Sequence, residues 1–304
     1  MYRDRKKIKK SLSITESILR EKKVALFILT YNAENQIRKT IERIPESIRG
    51  KFAEIFVIDD SSIDRTLEEV LWVRKDLAIS NLRIFKTPYN QGYGGNQKIG
   101  YTYALRRNFD YVIMLHGDGQ YPPEKLSRII DKFKNTPDAV FGSRMMNKMQ
   151  ALKGGMPVYK WIGNQILTSV ENAILGTSLT EFHSGYRSYS VALLKDVPFL
   201  ENSDDFHFDT DIVIQLTSLK KKVEEIQMPT YYGGEVCHVN GMWYAWNCIW
   251  SCIKYRLHVA RVLYRPKYDV QIDARVLRDF SNAFEEVYSQ TVNSEEAVEM
   301  GLYK

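Results

Sequence analysis

Val24-Ala25-Leu26-Phe27-Ile28-Leu29 runs into the polar turn Thr30-Tyr31-Asn32, and Glu54-Ile55-Phe56-Val57-Ile58 runs into Asp59-Asp60-Ser61-Ser62. A short unbroken apolar run that stops at turn-forming residues is the pattern of a strand buried on both faces, as in a parallel sheet. Between these two runs, Glu34 to Ile48 carries Ile37, Ile41 and Ile44 at helical spacing. The order then recurs. Leu82 to Phe85 reads as a third strand, Gln97 to Arg107 as a helix, and Tyr111-Val112-Ile113-Met114-Leu115 as a fourth strand ending at His116-Gly117-Asp118. After Pro122-Pro123, one more helix leads to the strand Ala139-Val140-Phe141 and to Gly142-Ser143-Arg144. Met145 to Pro157 reads as a flexible stretch, Val158 to Leu175 as a long helix, and the tail from Gln271 as one or two weakly packed helices. Alternating strands and helices predict a doubly wound, mostly parallel α/β sheet, which binds ligands at the carboxyl ends of its strands.

The composition agrees with a globular chain: 304 residues, 44% hydrophobic and 26% charged. No apolar run reaches the roughly eighteen residues that a spanning helix needs. Residues 1–23 hold nine Lys or Arg against Asp4, Glu16 and Glu21, which accounts for the whole formal charge of +6. The remainder is neutral overall, which argues against nucleic acid as a partner. The basic arm has no apolar signal region, so the expected location is cytoplasmic, with contact to anionic lipid at the inner membrane face as one use of the arm. Cys237, Cys248 and Cys252 lack any CxxC spacing, which argues for buried reduced thiols and against a structural zinc site.

The chemistry is concentrated in the two acidic loops. Asp59, Asp60 and Asp118 follow strands of one sheet, so their carboxylates converge on one cleft. Crowded carboxylates are costly unless they bind a divalent cation or hydrogen-bond a ribose or base. Asp118 and Gln120 flank Gly119 and offer two oxygen ligands suited to Mg²⁺ or Mn²⁺. The glycine cluster Asn90-Gln91-Gly92-Tyr93-Gly94-Gly95-Asn96 precedes a helix and could let backbone amides approach a phosphate or sugar. It matches neither the P-loop nor the dinucleotide fingerprint.

Thr30-Tyr31-Asn32-Ala33-Glu34, Val57 to Thr66, Asn90 to Gly95, His116 to Glu124, and Ser184-Gly185-Tyr186-Arg187 stand in the order found in family 2 glycosyltransferases. The chain resembles most the dolichyl-phosphate or polyprenyl-phosphate mannose synthase branch, over roughly Val24 to Gly234. The resemblance implies a GT-A fold, a nucleotide-sugar donor, a divalent cation and transfer with inversion at the anomeric carbon. It places Thr30, Tyr31, Glu34, Asp59 or Asp60, Gly92, Gly94, Gly95 and Arg144 around the nucleotide-sugar, and Asp118 and Gln120 on the metal. His116 stands where the family's aspartate-x-aspartate has its first carboxylate; a neutral imidazole could still coordinate Mn²⁺ or bond a diphosphate oxygen.

Separating sugar from diphosphate develops negative charge on the leaving group, so positive groups are needed around it. Arg144 and Arg187 could supply bidentate contacts, or each could be a structural ion pair. A hydroxyl acceptor would require a base, for which Asp209 or Asp211 is the candidate, whereas a phosphate acceptor would not. His183 lies where it could touch the acceptor. Trp243 to Ile253 is rich in aromatic residues, followed by the basic stretch Lys254 to Arg261. Such a helix suits either a membrane surface or a core contact.

The expected organisation is therefore a basic arm over 1–23, a GT-A catalytic domain over 24–240 and a helical extension over 241–304. The expected activity is transfer of a hexose from a UDP- or GDP-sugar to a polyprenyl phosphate or a cell-surface glycan, in cell-wall or polysaccharide synthesis. Two other readings are a nucleotidyltransferase, which would want glycine and Lys or Arg right after the first strand, and a non-catalytic sugar-nucleotide-binding or membrane-adaptor protein.

Overall fold

The computed structural model describes residues 13–229, 232, 240–268 and, as backbone, 285–288. The first part of the expected basic arm and most of the expected tail helices lie outside these residues. Residues 13–21 form helix α1. Strands β1 (Val24–Thr30), β2 (Glu54–Asp59), β3 (Leu82–Lys86) and β4 (Tyr111–His116) stand where the apolar runs predict them. They are followed by β5 (Ala139–Ser143), β6 (Arg187–Ser190), β7 (Val223–Gln227) and β8 (Glu285–Tyr288).

One sheet contains all eight, in the order β7-β5-β6-β4-β1-β2-β3-β8. The β1, β2, β3 and β4 pairings are parallel, as is β5 with β7, while β6 runs antiparallel to both β4 and β5. β8 lies antiparallel on the β3 edge, where a helix was expected from the sequence. Both faces of the central strands are buried: Ala25 and Phe27 face one core, Val24, Leu26 and Ile28 the other. That two-sided burial is why these strands read as unbroken apolar runs rather than as alternating ones.

The helices are α2 (Ile37–Glu42), α3 (Glu46–Arg49), α4 (Thr66–Asp76), α5 (Gly92–Arg106), α6 (Leu126–Ile130), α7 (Lys148–Lys153), α8 (Val158–Leu175), α9 (Val191–Asp196), α10 (Phe208–Ser218) and α11 (Gly241–Val259). The single helix expected over 34–48 is split because Pro45 has no amide proton to continue the ladder and sits at the N-cap of α3. The expected flexible stretch contains α7, capped by Asn147, whose side chain accepts from the Gln150 amide at 3.2 Å.

Helix α5 starts at Gly92 rather than at Gln97. Its first-turn amides at Gly94 and Gly95 donate to the Asp204 carbonyl at 2.7 and 3.3 Å. The glycines permit that approach: a Cβ on Gly92 would lie 2.6 Å from the Asp204 oxygen, and one on Gly94 2.9 Å from Phe208 Cβ.

Helix α11 packs against α8 and α10. Its Cys248, Ser251, Cys252 and Tyr255 are buried at three- and four-residue spacing. Its opposite side exposes Met242, Trp243, Trp246 and Trp250, so the core contact expected for this helix is made by one face only. No helix among the described residues is long and apolar enough to cross a membrane.

Candidate active site

Sheet register brings the loops together. Thr30 is level with Asp59, and Leu29 is level with both Ile58 and His116, so the carboxyl ends of β1, β2 and β4 open on one crevice. This is the position at which an open α/β sheet reverses its strand order and accepts ligands.

The β1 and β2 loops are sewn to one another. The Asn32 amide donates to Ser62 Oγ at 2.8 Å, the Ile63 amide to Asn32 Oδ1 at 3.0 Å, and the Arg65 amide to Glu34 Oε2 at 3.1 Å. Asn32 and Ser61 hold positive φ of 47° and 59° in these turns. Asp59 accepts from the Ser62 amide and hydroxyl, while Asp60 Oδ1 accepts from Thr87 Oγ1 at 3.0 Å and the Gln91 amide at 2.8 Å. Burial raises the pKa of both carboxyls, and these hydrogen bonds offset it only in part. Asp60 thus ties the glycine segment to the end of β2. Tyr31 is exposed beside these loops, and Thr30 Oγ1 is buried with no hydrogen-bond partner among the described residues.

The β4 loop carries the sharper chemistry. His116 Nδ1 lies 4.0 Å from Asp118 Oδ2, while Asp118 Oδ1 accepts from the Gln120 amide at 2.9 Å. On its other side, His116 Nε2 lies 3.3 Å from the Tyr93 hydroxyl, which donates to Asp209 Oδ2 at 2.9 Å. Tyr93 has one proton, and it goes to Asp209. Its oxygen can therefore only accept from His116, which places the imidazole proton on Nε2 and the lone pair of Nδ1 toward Asp118. Burial lowers the His116 pKa, so the ring is neutral near pH 7. A neutral nitrogen lone pair beside a carboxylate is a donor set that fits Mn²⁺ or Mg²⁺.

Three residues that sequence reasoning did not single out hold His116. Tyr93 and Tyr121 meet its ring edge-on at centroid distances of 5.5 and 5.2 Å, and Tyr121 Oη accepts from the Gly185 amide at 2.9 Å. A Cβ on Gly185 would come within 2.9 Å of Tyr93 Oη and closer still to the imidazole. Gly185→Ala is therefore expected to leave the fold in place and weaken Mn²⁺ binding at least tenfold, read by manganese electron paramagnetic resonance; unchanged affinity would refute this packing role. The clue in the sequence was Tyr93, an aromatic residue inside the glycine cluster.

Several expected site residues have other work. Gly94 and Gly95 give their amides to the Asp204 carbonyl, not to the open crevice. Arg144 is buried with its guanidinium on Glu181, the His183 carbonyl and Tyr232 Oη. Arg187 is 1% exposed and donates to the carbonyls of Phe182, Ser184 and Asp209. Both arginines thus brace the 182–184 loop instead of presenting free donors to a phosphate. Asp211 is paired with Lys267 Nζ at 2.7 Å and accepts from the Ser203 amide at 3.1 Å, so its surroundings do not suit a base. Asp209 accepts from Tyr93 and from Gln97 Nε2 at 3.3 Å, with Arg187 Nε at 3.7 Å. Its carboxylate is held toward His116. The His183 side chain is 8% exposed, with Nδ1 2.9 Å from Tyr244 Oη and Nε2 3.1 Å from Glu171 Oε2.

The sequence profile described as Glycosyl transferase family 2 matches residues 25–197, more than half of the chain. The chain belongs to glycosyl transferase family 2. This family 2 enzyme is 26% identical over 209 residues to the undecaprenyl-phosphate mannosyltransferase of Micrococcus luteus, covering 67% of this chain and 82% of that one. It is 23% identical over 227 residues to the UDP-N-acetylglucosamine–dolichyl-phosphate N-acetylglucosaminyltransferase of Methanococcus voltae, covering 70% and 87%. Mannosyl-3-phosphoglycerate synthase from Rubrobacter xylanophilus shares its fold with a TM-score of 0.60 at 14% identity, over 83% of this chain and 80% of that one. The Mycobacterium tuberculosis glucosyl-3-phosphoglycerate synthase, solved with Mn²⁺, UDP and phosphoglyceric acid, gives 0.58 at 13% identity over 84% of each chain. The fold of the family 2 enzyme is thereby GT-A.

Proposed function

We propose that this family 2 enzyme transfers a hexose, with inversion and with a divalent cation, from a UDP- or GDP-sugar to a polyprenyl phosphate. The observation that carries the acceptor class is the state of the two candidate bases. Asp211 is neutralised by Lys267, and Asp209 is committed to Tyr93, Gln97 and Arg187. A sugar hydroxyl would need one of them free to take its proton, whereas a phosphate acceptor arrives already ionised. The Micrococcus luteus and Methanococcus voltae relatives, named for undecaprenyl-phosphate and dolichyl-phosphate acceptors, support the same class.

In this reading the Asp59–Asp60 loop and Tyr31 frame the nucleoside, and His116, Asp118 and Gln120 hold the cation, with the Gln120 backbone amide also ordering Asp118. The cation supplies the charge that stabilises the leaving diphosphate. Arg144 and Arg187 keep the neighbouring loop rigid. Solved glucosyl-3-phosphoglycerate synthase with Mn²⁺ and UDP supports that combination of ligands for this fold.

The acceptor side is the exposed apolar surface of α8 and α11. Val158, Tyr159, Ile162 and Ile166 are exposed on α8, and Trp243, Trp246 and Trp250 on α11. Trp246 and Trp250 stack with centroids 6.2 Å apart, and Lys254 Nζ lies 5.5 Å from the Trp250 ring centroid. Aromatic anchors with a basic flank suit the headgroup level of a bilayer, where a polyprenyl phosphate presents its charge. The test supplies UDP- and GDP-hexoses with Mn²⁺ and short-chain polyprenyl phosphate, and follows lipid-linked sugar by chromatography. Product is expected with one nucleotide series, and the Trp243→Ser/Trp246→Ser protein is expected to lose most of its flotation with anionic vesicles. Donor binding without transfer to any phosphate lipid would refute the proposal and favour the adaptor reading.

A further inference from the structure

Behind the 182–184 loop, Glu171 of α8, His183 and Cys248 of α11 place Oε, an imidazole nitrogen and Sγ all within 4.8 Å of one another. The cluster is enclosed: Glu171 and Cys248 are 0% exposed, and the His183 side chain is 8% exposed. His183 Nε2 lies 3.1 Å from Glu171 Oε2, yet neither atom has a hydrogen-bond partner among the described residues. The surrounding bonds are already made. Glu171 Oε1 accepts from Thr210 Oγ1 at 3.1 Å, and His183 Nδ1 lies 2.9 Å from Tyr244 Oη. In the tautomer that carries its proton on Nδ1, the ring gives that proton to Tyr244 Oη and turns the lone pair of Nε2 inward, as a metal-bound histidine does.

Against the expectation from cysteine spacing, we propose that Glu171, His183 and Cys248, brought together only by the fold, form a binding site for a borderline-soft divalent cation of the zinc class, separate from the oxygen-rich crevice. Thiolate and imidazole donors with one carboxylate select Zn²⁺ or Co²⁺ over Mg²⁺, and three protein ligands leave a fourth position for water. Binding converts the Cys248 thiol to thiolate and releases its proton to solvent. The ion would join α8, α11 and the residue that precedes Ser184-Gly185. It would thereby clamp the exposed aromatic helices to the loop that packs on His116. The site is independent of donor and acceptor identity.

The test uses the full-length protein, stripped by chelator and titrated with Co²⁺ in buffer holding excess Mg²⁺. A near-ultraviolet thiolate-to-cobalt charge-transfer band is expected to grow to one equivalent, and Zn²⁺ to displace it and raise the Tm. Cys248→Ser should abolish the band, Cys252→Ser, Cys237→Ser and Asp118→Asn should retain it, and Glu171→Gln should weaken Co²⁺ binding at least tenfold. The Glu171→Gln protein keeps the cysteine and the shape of the site, so it decides the matter if Cys248→Ser fails to fold. No band, or a band of undiminished strength in Cys248→Ser, would overturn the proposal and leave an ordinary buried carboxylate–imidazole pair.

Discussion

Asp118→Asn is expected to lower hexosyl transfer at saturating donor by about 10²–10³-fold, the scale seen when one preorganised charge-stabilising group is lost. Asparagine keeps the oxygen that accepts from the Gln120 amide, so the loop keeps its shape. What it removes is the charge 4.0 Å from the His116 lone pair. The Tm should therefore stay within about 2 °C, since surface substitutions away from buried networks usually change stability by under about 0.5 kcal/mol. Mn²⁺ affinity should fall along with the rate. Transfer within a few-fold of the wild-type rate would remove the cation from the mechanism proposed here. A large loss of Tm would instead assign Asp118 to the fold.

Glu181→Ala is expected to cost about 3–5 kcal/mol of stability, as when one partner of a buried ion pair is deleted. Glu181 is 2% exposed and takes Arg144 through its backbone amide, Nε and terminal nitrogen, together with Asn164 Nδ2 at 2.8 Å. Its removal would leave the 8% exposed Arg144 with no opposite charge among the described residues. Chemical denaturation of the two single variants and the Arg144→Met/Glu181→Met double variant would measure this. The double variant should recover much of the loss, because no unpaired charge is then left buried. Equal losses in all three would show that shape, not charge, is what the pair contributes.

The Arg144–Glu181 pair is also a contact that local sequence does not disclose. Arg144 follows a strand and Arg187 follows Ser-Gly-Tyr, positions that suit phosphate ligands as well as braces. Nothing local distinguishes the two uses, because the partner that decides is Glu181 for one and a row of carbonyls for the other. The same holds for the glycine cluster. Its backbone freedom was legible, but the Asp204 carbonyl that consumes its amides comes from far along the chain.

The sequence by itself determined the central strands, the loops at their carboxyl ends, the long helix Val158–Leu175 and the family. These depend on side-chain pattern over a few residues, and burial on both faces of a parallel sheet imposes that pattern directly. Only the tertiary structure decided that β6 runs antiparallel between β4 and β5. It alone joined Tyr93 and Asp209 to His116, and Glu171 and His183 to Cys248. Whether a buried polar group becomes a ligand, a base or a brace depends on which opposite charge or hydrogen-bond partner is left within reach. For these residues the partners lie between 12 positions (Glu171 and His183) and 116 positions (Tyr93 and Asp209) away in sequence, and folding is what brings them together.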